Sequence, residues 1–321
     1  MTSVLGTLPS GALRPTVASY QFGPFRQYRI LSRRLQAEVL EAEVGAVFEK
    51  SGAIALAEED AEQAVAVFRP LPWDSEFFGI SMGQIDYLLR TEAAGRSLLA
   101  EALLACHENF RARGVRHVTV RVDVADTLAI AVLEEQGYRL MDALVTYIYH
   151  PRREAPAGHR EMGVLRDFRP GDAAQIVEIA AEAYRGFRGR FHLDPHLPDA
   201  RCDEFYVEWA RQCCGGEMAD QVFITENTDG LMHGFLAFRR REPVSTVGGV
   251  AIYGGGLGAC RRGAPGAYAG LIRAGTVWAH ARGGVAECQT QNYNFSTIRV
   301  YEAVGSRYTR ADYTFHAWLG D

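Results

Sequence analysis

Fourteen residues near the middle of the chain, Asp126-Thr-Leu-Ala-Ile-Ala-Val-Leu133-Glu134-Glu-Gln-Gly137-Tyr-Arg139, run in register with Asn294-Phe-Ser-Thr-Ile-Arg-Val-Tyr301-Glu302-Ala-Val-Gly305-Ser-Arg307, 168 positions later. Glu134 falls on Glu302, Gly137 on Gly305, Arg139 on Arg307 and, further on, Thr146 on Thr314. A capping residue, a helical run and a glycine stop, kept twice at one offset, constrain the chain to two copies of one fold. The length of 321 residues suits two domains, each able to bury its own core.

The pattern between the copies predicts an α/β, or α+β layered, class with mixed central sheets flanked by helices. In the first copy, strands are expected at Val65–Phe68, Ile80–Leu89, Val115–Val122 and Tyr138–Tyr149, with helices over Glu92–Arg113 and Asp126–Gln136. In the second, Asp172 is a natural N-cap for a helix over Ala173–Tyr184. An irregular loop (Arg185–Asp199), a helix to about Cys214, strands at Val222–Glu226, Gly234–Arg240 and Gly249–Leu257, and a helix over Pro265–Arg282 precede the repeated segment. The expected division is 1–64 as an added helical extension, 65–150 as a degenerate copy, 151–160 as a charged, proline-bearing linker and 161–321 as the working copy.

The net charge of -5 provides no global positive field for nucleic acid or an anionic membrane, so an anionic ligand needs local arginines. No window approaches the ~20 apolar residues of a membrane span, and Met1–Pro15 lacks a leader pattern, so a cytoplasmic protein is expected. The six cysteines have no zinc-type pairing and are expected as reduced thiols, with no metal.

Chemistry concentrates in the second copy. The turn Arg262-Gly263-Ala-Pro265-Gly266-Ala267 joins a glycine-rich strand to a helix, and N–H groups at a helix start attract phosphate. Read alone, it favours an ordinary glycine-rich connection. The order of strand, Arg-Gly turn, helix, strand ending at Asn294 and helix carrying Tyr301 resembles the GNAT acyltransferases, which implies acetyl-CoA as co-substrate held at Arg262, Gly263, Gly266 and Ala267. Pro265 stands at that family's central glycine. A closer resemblance, to the TDP-fucosamine N-acetyltransferase branch, rests on Trp73-Asp-Ser-Glu-Phe-Phe-Gly79, Gly189-Arg-Phe-His192-Leu-Asp194, Phe205-Tyr206-x-x-Trp209, Thr290-Gln291-x-x-Asn294 and Phe315-His316-Ala-Trp318. It implies a nucleotide-linked amino sugar as acceptor.

The residues themselves supply matching roles. Glycines 254–256 and 258 disfavour regular pairing, which frees the Leu257 N–H to bind an oxyanion. Tyr301 can protonate the leaving thiolate, its phenol lying only a unit or two above a thiol in pKa. Its other reading is a core residue spaced with Ile298 and Val304, against which the leucine of the first copy weighs. Asn294 either binds the pantetheine amide or simply caps its helix. His192 is the candidate base and otherwise a loop histidine; Arg190, Asp194 and His316 are candidate substrate contacts, Arg190 within a basic run (Arg185, Arg188, Arg190) that is otherwise a solvated loop. The expected activity is therefore N-acetylation of an amino sugar. A small non-sugar amine (amino acid, polyamine or antibiotic) and a non-catalytic acyl-CoA-binding module are the alternatives. A homodimer stays open.

Overall fold

A computed structural model describes residues 1–6, 11, 13–150, 154 and 163–320, and within them one order of elements occurs twice. The first pass reads β1 (Thr2–Leu5), α1 (Arg14–Ser19), α2 (Arg33–Glu49), β2 (Ala53–Glu59), β3 (Glu62–Pro70), α3 (Pro72–Phe78), β4 (Met82–Arg90), α4 (Arg96–Ala112), β5 (His117–Asp123), α5 (Thr127–Glu135) and β6 (Arg139–Tyr149). The second reads β7 (Val164–Asp167), α6 (Ala173–Ala183), α7 (Asp199–Gly215), β8 (Gln221–Glu226), β9 (Met232–Arg240), α8 (Val244–Gly248), β10 (Ile252–Cys260), α9 (Ala267–Ala281), β11 (Val285–Gln291), α10 (Phe295–Val304) and β12 (Arg307–Trp318). Among the described residues, no helix is long and apolar enough to cross a membrane.

Residues 1–64, expected as an added extension, are the opening of the first copy: β1, α1, α2 and β2 stand in chain order where β7, α6, α7 and β8 stand in the second. The strand Ala53–Glu59 escaped the sequence reading because its core residues (Ala53, Ile54, Ala55, Leu56, Ala57) form a continuous apolar run rather than an alternation. The linker expected over 151–160 lies, apart from Glu154, outside the described residues.

Two compact units emerge, Met1–Ala143 with Ala311–Asp321, and Leu144–Arg310. They do not follow chain order at their last strands. In the first unit β12 pairs antiparallel with β5, from Asp312↔Asp123 to Trp318↔His117. In the second, β6 pairs antiparallel with β11, from Leu144↔Gln291 to Tyr149↔Ala286. Each copy thus gives its final strand to the other copy's sheet. The strand order is β1-β2-β3-β4-β5-β12 in unit 1 and β7-β8-β9-β10-β11-β6 in unit 2. Among the described residues, β4 pairs parallel with β5 in unit 1 and β10 parallel with β11 in unit 2.

The duplication extends to single atoms. The Ser75 hydroxyl donates to the Leu71 carbonyl and accepts the Met82 N–H at 2.9 Å, while the Ser245 hydroxyl donates to the Arg241 carbonyl and accepts the Ile252 N–H at 2.9 Å. Asp126 caps α5 by accepting the Ala129 N–H, and Asn294 caps α10 by accepting the Thr297 N–H. In the cores, Phe68 packs edge-on against Phe110, and Phe238 lies so close to α9 that a Cβ on Gly275 would come within 2.0 Å of it. The expected capping of α6 by Asp172 is corrected: its carboxylate accepts two Arg166 donors and the Arg169 N–H instead, closing a short 3-10 turn at Pro170–Asp172. Ion pairing with Arg166 outcompetes the cap and holds the Asp172 carboxyl below its usual range.

In unit 1 the chain after α1 folds back onto the ends of β4 and β5. Tyr20 donates to the Asp126 carboxylate at 2.7 Å, Arg90 pairs with the same group at 2.7 Å, and Arg26 pairs with Asp123. The Arg90 guanidinium also faces the rings of Tyr20 and Phe22. Asp126 is therefore a buried ionic junction as well as a cap, whereas Asn294 caps α10 and bonds to the neutral Thr290 hydroxyl. Replacing Asp126 by Ala leaves Arg90 without its buried partner and should destabilise the protein by about 3–5 kcal/mol, against ~1 kcal/mol for Asn294→Ala. Denaturant unfolding measures both, and equal losses would show that Tyr20 and Arg90 add nothing.

Candidate active site

The site of unit 2 starts where β10 and β11 part. Their parallel pairing is confined to Ile252, Tyr253 and Gly254, opposite Val285, Ala286 and Glu287. On its other edge β10 pairs Gly255 with Phe238 and Gly258 with Leu236, so three steps on β10 oppose two on β9 and one residue bulges out at Gly256–Leu257. Side chains are excluded around the bulge: a Cβ at Gly258 would lie 2.5 Å from Leu236, and one at Gly255 would press on the Cys288 sulfur at 3.1 Å. Leu257 turns its side chain inward and is 3% exposed. The glycine run that marked this strand in the sequence therefore coincides with its irregularity.

β10 ends in the turn before α9. Gly263 and Gly266 both have left-handed backbones, φ of 80° and 78°, which a side chain would strain. Helix α9 begins at Ala267 with Gly266 as its N-cap and no side-chain cap. Pro265 therefore precedes the cap rather than sitting in the first helical turn as expected. The neighbouring arginines divide their work: Arg261 makes two 3.0 Å bonds to Glu178, whereas Arg262 is exposed at the turn. The corresponding turn of unit 1 lacks this geometry, since α4 is capped by Gly95 in ordinary extended backbone, φ -83°.

Tyr301 is 2% exposed, and its hydroxyl donates to the Gln289 carbonyl at 3.1 Å. The ring belongs to the core with Leu271, Ile272, Cys288 and Val304, as the packing reading expects. Leu133, its counterpart, is fully buried in the core of unit 1. Burial, reinforced by Tyr268 and Cys288, drives the Tyr301 phenol well above its ordinary pKa, and burial pushes the Cys288 thiol up to about 12. Tyr301 is consequently a weaker acid than the ordinary phenol expected from the sequence, its pKa standing further above that of a thiol than a unit or two. Asn294 serves as the N-cap of α10 and also donates to the Thr290 hydroxyl at 3.0 Å.

The loop between α6 and α7 is tied to these elements at several points. The Tyr293 hydroxyl, next to Asn294, donates to the Arg188 carbonyl, and the Tyr184 hydroxyl donates to the Gly258 carbonyl at 2.8 Å. Gly189 has room for no side chain, because a Cβ would stand 2.4 Å from the Tyr206 hydroxyl. His192 follows, stacked on Tyr206 and bonded through Nε2 to Asp203 at 2.9 Å. The Arg190 guanidinium lies over the Phe191 ring at 4.4 Å. Asp194 is 2% exposed and accepts the His196 N–H, a turn-closing position. His316 lies in unit 1, buried edge-on against His117.

Leu257, Arg262, Gly263, Gly266, Ala267, Asn294, Tyr301, Arg190, His192 and Asp194 all lie in unit 2, and His316 lies in unit 1. Asp203, Tyr184 and Tyr268 were missed in the sequence. Asp203 had a usable signal: it stands three residues before Tyr206, on the same helix face.

No family model matches the sequence. A 151-residue stretch is 28% identical to the spore coat polysaccharide biosynthesis protein SpsD of Bacillus subtilis (strain 168), covering 47% of this chain and about half, 49%, of that relative. A GCN5-related N-acetyltransferase from Sphaerobacter thermophilus superposes over all of this chain and 96% of its own, with a TM-score of 0.62 at 16% identity. A GCN5-related glucosamine N-acetyltransferase region of a fungal multi-domain β-N-acetylglucosaminidase matches 99% of this chain and 38% of its own, with a TM-score of 0.63 at 13% identity. The fold is that of the GCN5-related N-acetyltransferases, present twice.

The buried phenols carry a pH signature. Tyr184 and Tyr301 are both raised well above 10 by burial, so the folded chain holds their protons where the unfolded chain releases them at ~10. Their contribution to stability is whole below ~pH 10 and is lost as pH rises further. Denaturant midpoints between pH 8 and 11 should fall steeply above 10, and less steeply in Tyr301→Phe; identical profiles would contradict the burial of this hydroxyl.

Proposed function

We propose that unit 2 is an N-acetyltransferase that moves an acetyl group from acetyl-CoA to the amine of a nucleotide-linked amino sugar, and that unit 1 binds no acyl donor. The observation that carries this reading is the buried Tyr301 on α10, whose hydroxyl bonds to the Gln289 carbonyl on β11, the strand that parts from the bulged β10, within a fold shared with acetyltransferases. The left-handed Gly263 and Gly266, the uncapped start of α9 and the exposed Arg262 support a site for the CoA diphosphate. In unit 1 the place of Asn294 is taken by Asp126, already bonded to Tyr20 and Arg90.

The reaction follows from these groups. The neutral amine attacks the thioester carbon, and the negative charge on its oxygen is met by the N–H at Leu257, freed by the bulge. The C–S bond breaks and the thiolate takes the Tyr301 proton, which the phenolate later recovers from solvent. His192 accepts the proton that the attacking amine loses. The amino-sugar acceptor is supported by SpsD, named for polysaccharide biosynthesis, and by the glucosamine N-acetyltransferase region of the fungal enzyme. Arg185 and Arg188, exposed in the loop that carries His192, suit a nucleotide diphosphate.

Tyr301→Phe should lower kcat by about a hundredfold while CoA binding by calorimetry stays within about threefold and near one CoA per chain. Two CoA per chain would overturn the assignment of unit 1, and unchanged turnover would remove Tyr301 from the chemistry. The acceptor is tested by following free CoA thiol across nucleotide amino sugars, free amino sugars, polyamines and amino acids. Release with simple amines alone would sink the sugar reading.

A further inference from the structure

We infer that Asp203 is a positioning residue for His192, holding the imidazole in the one tautomer that can take a proton from the acceptor amine; this rests on the reading of unit 2 as an acyltransferase. The carboxylate Oδ1 of Asp203 accepts two bonds, from the Gly186 N–H at 2.7 Å and from His192 Nε2 at 2.9 Å. A carboxylate only accepts, so Nε2 carries the proton and the lone pair lies on Nδ1. The His192 side chain is 5% exposed. Its Nδ1 is buried and, among the described residues, makes no hydrogen bond. A buried acceptor left without a donor is unfavourable, and an incoming N–H group would satisfy it.

The ring plane is also set. His192 lies parallel to Tyr206, 14° between planes and centroids 5.9 Å apart, and Tyr206 stacks on Tyr184 at 8° and 4.6 Å. The Tyr184 hydroxyl bonds to the Gly258 carbonyl on the bulged strand. Three stacked rings therefore connect the imidazole to the strand whose bulge supplies the oxyanion donor. Asp203 and Tyr206, three residues apart on α7, fix the tautomer and the plane from one helix face. Gly189 leaves the Tyr206 hydroxyl its place, which explains a glycine within the Gly189-Arg-Phe-His192 stretch.

In the transfer step the amine nitrogen forms its bond to the thioester carbon, and the proton it sheds goes to His192 Nδ1. Nε2–H stays with Asp203, whose charge offsets the imidazolium. The C–S electron pair leaves with sulfur, which is protonated by Tyr301. The imidazolium returns its proton to solvent before the next turnover.

Full-length protein labelled with 15N-histidine tests this, with His192→Gln assigning the His192 nitrogens. The wild type should show the Nε2–H tautomer. Asp203→Ala should mix the tautomers and lower kcat by about 10- to 100-fold, leaving the KM for acetyl-CoA within about threefold. Asp203→Asn keeps an acceptor oxygen for both donors and should fold normally, keep the tautomer and lose part of the rate. An Nδ1–H tautomer in the wild type overturns the assignment, as does an unchanged kcat in Asp203→Ala. Should no amine be acetylated while the Nε2–H signature is present and depends on Asp203, the acyl-transfer reading falls and the pairing stands.

Discussion

Parallel pairing between β10 and β11 stops at Gly254, and the arrangement of unit 2 depends on that parting. Backbone hydrogen bonds that would close a regular sheet are given up over the bulge at Gly256–Leu257, and glycine at 255 and 258 keeps side chains out of the space. The cost is met by the surroundings: β9 still holds the other edge of β10, and the Tyr184 hydroxyl binds the Gly258 carbonyl. Leu257 lies on β10, Gly263 and Gly266 on the turn it runs into, and Tyr301 on the helix that follows β11, while the loop that carries His192 is tied to β10 through the Tyr184 hydroxyl and the Gly258 carbonyl.

The two copies separate the demands of fold from those of chemistry. Both keep the serine that staples a short helix to the start of the central strand, the capping Asp or Asn, and the glycine after the second crossover helix. These are backbone requirements, and unit 1 has kept them. It has Gly95 in ordinary extended backbone before α4 and Leu133 at the place of Tyr301, and Tyr20, Arg26 and Arg90 surround its two aspartates. A chain segment bonded there satisfies carboxylates that would otherwise be buried without partners.

Local periodicity revealed most of the helices, the strands that alternate, and the glycine-rich strand and turn. Tyr301 was legible because the repeat offered a leucine for comparison, and Asn294 because a cap precedes its helix. Less visible were β2, whose continuous apolar run has no period, and α3, a helix of only seven residues opened by Pro72. Asp172 misled for a physical reason: a natural N-cap residue found a stronger partner in Arg166, nearby in space on β7.

By itself the sequence determined that one unit is present twice, that the second copy carries the glycine turn and the tyrosine, and that the repeated helix is capped at Asp126 and Asn294. These follow from local rules, spacing, caps and backbone freedom, which act over a few residues. Only the tertiary structure decided that each copy contributes its last strand to the other's sheet, that residues 1–64 open the first copy, and that Asp203 meets His192. Strand exchange and side-chain pairing depend on contacts between segments distant in the chain, and no local pattern encodes which of two equivalent edges a strand will join.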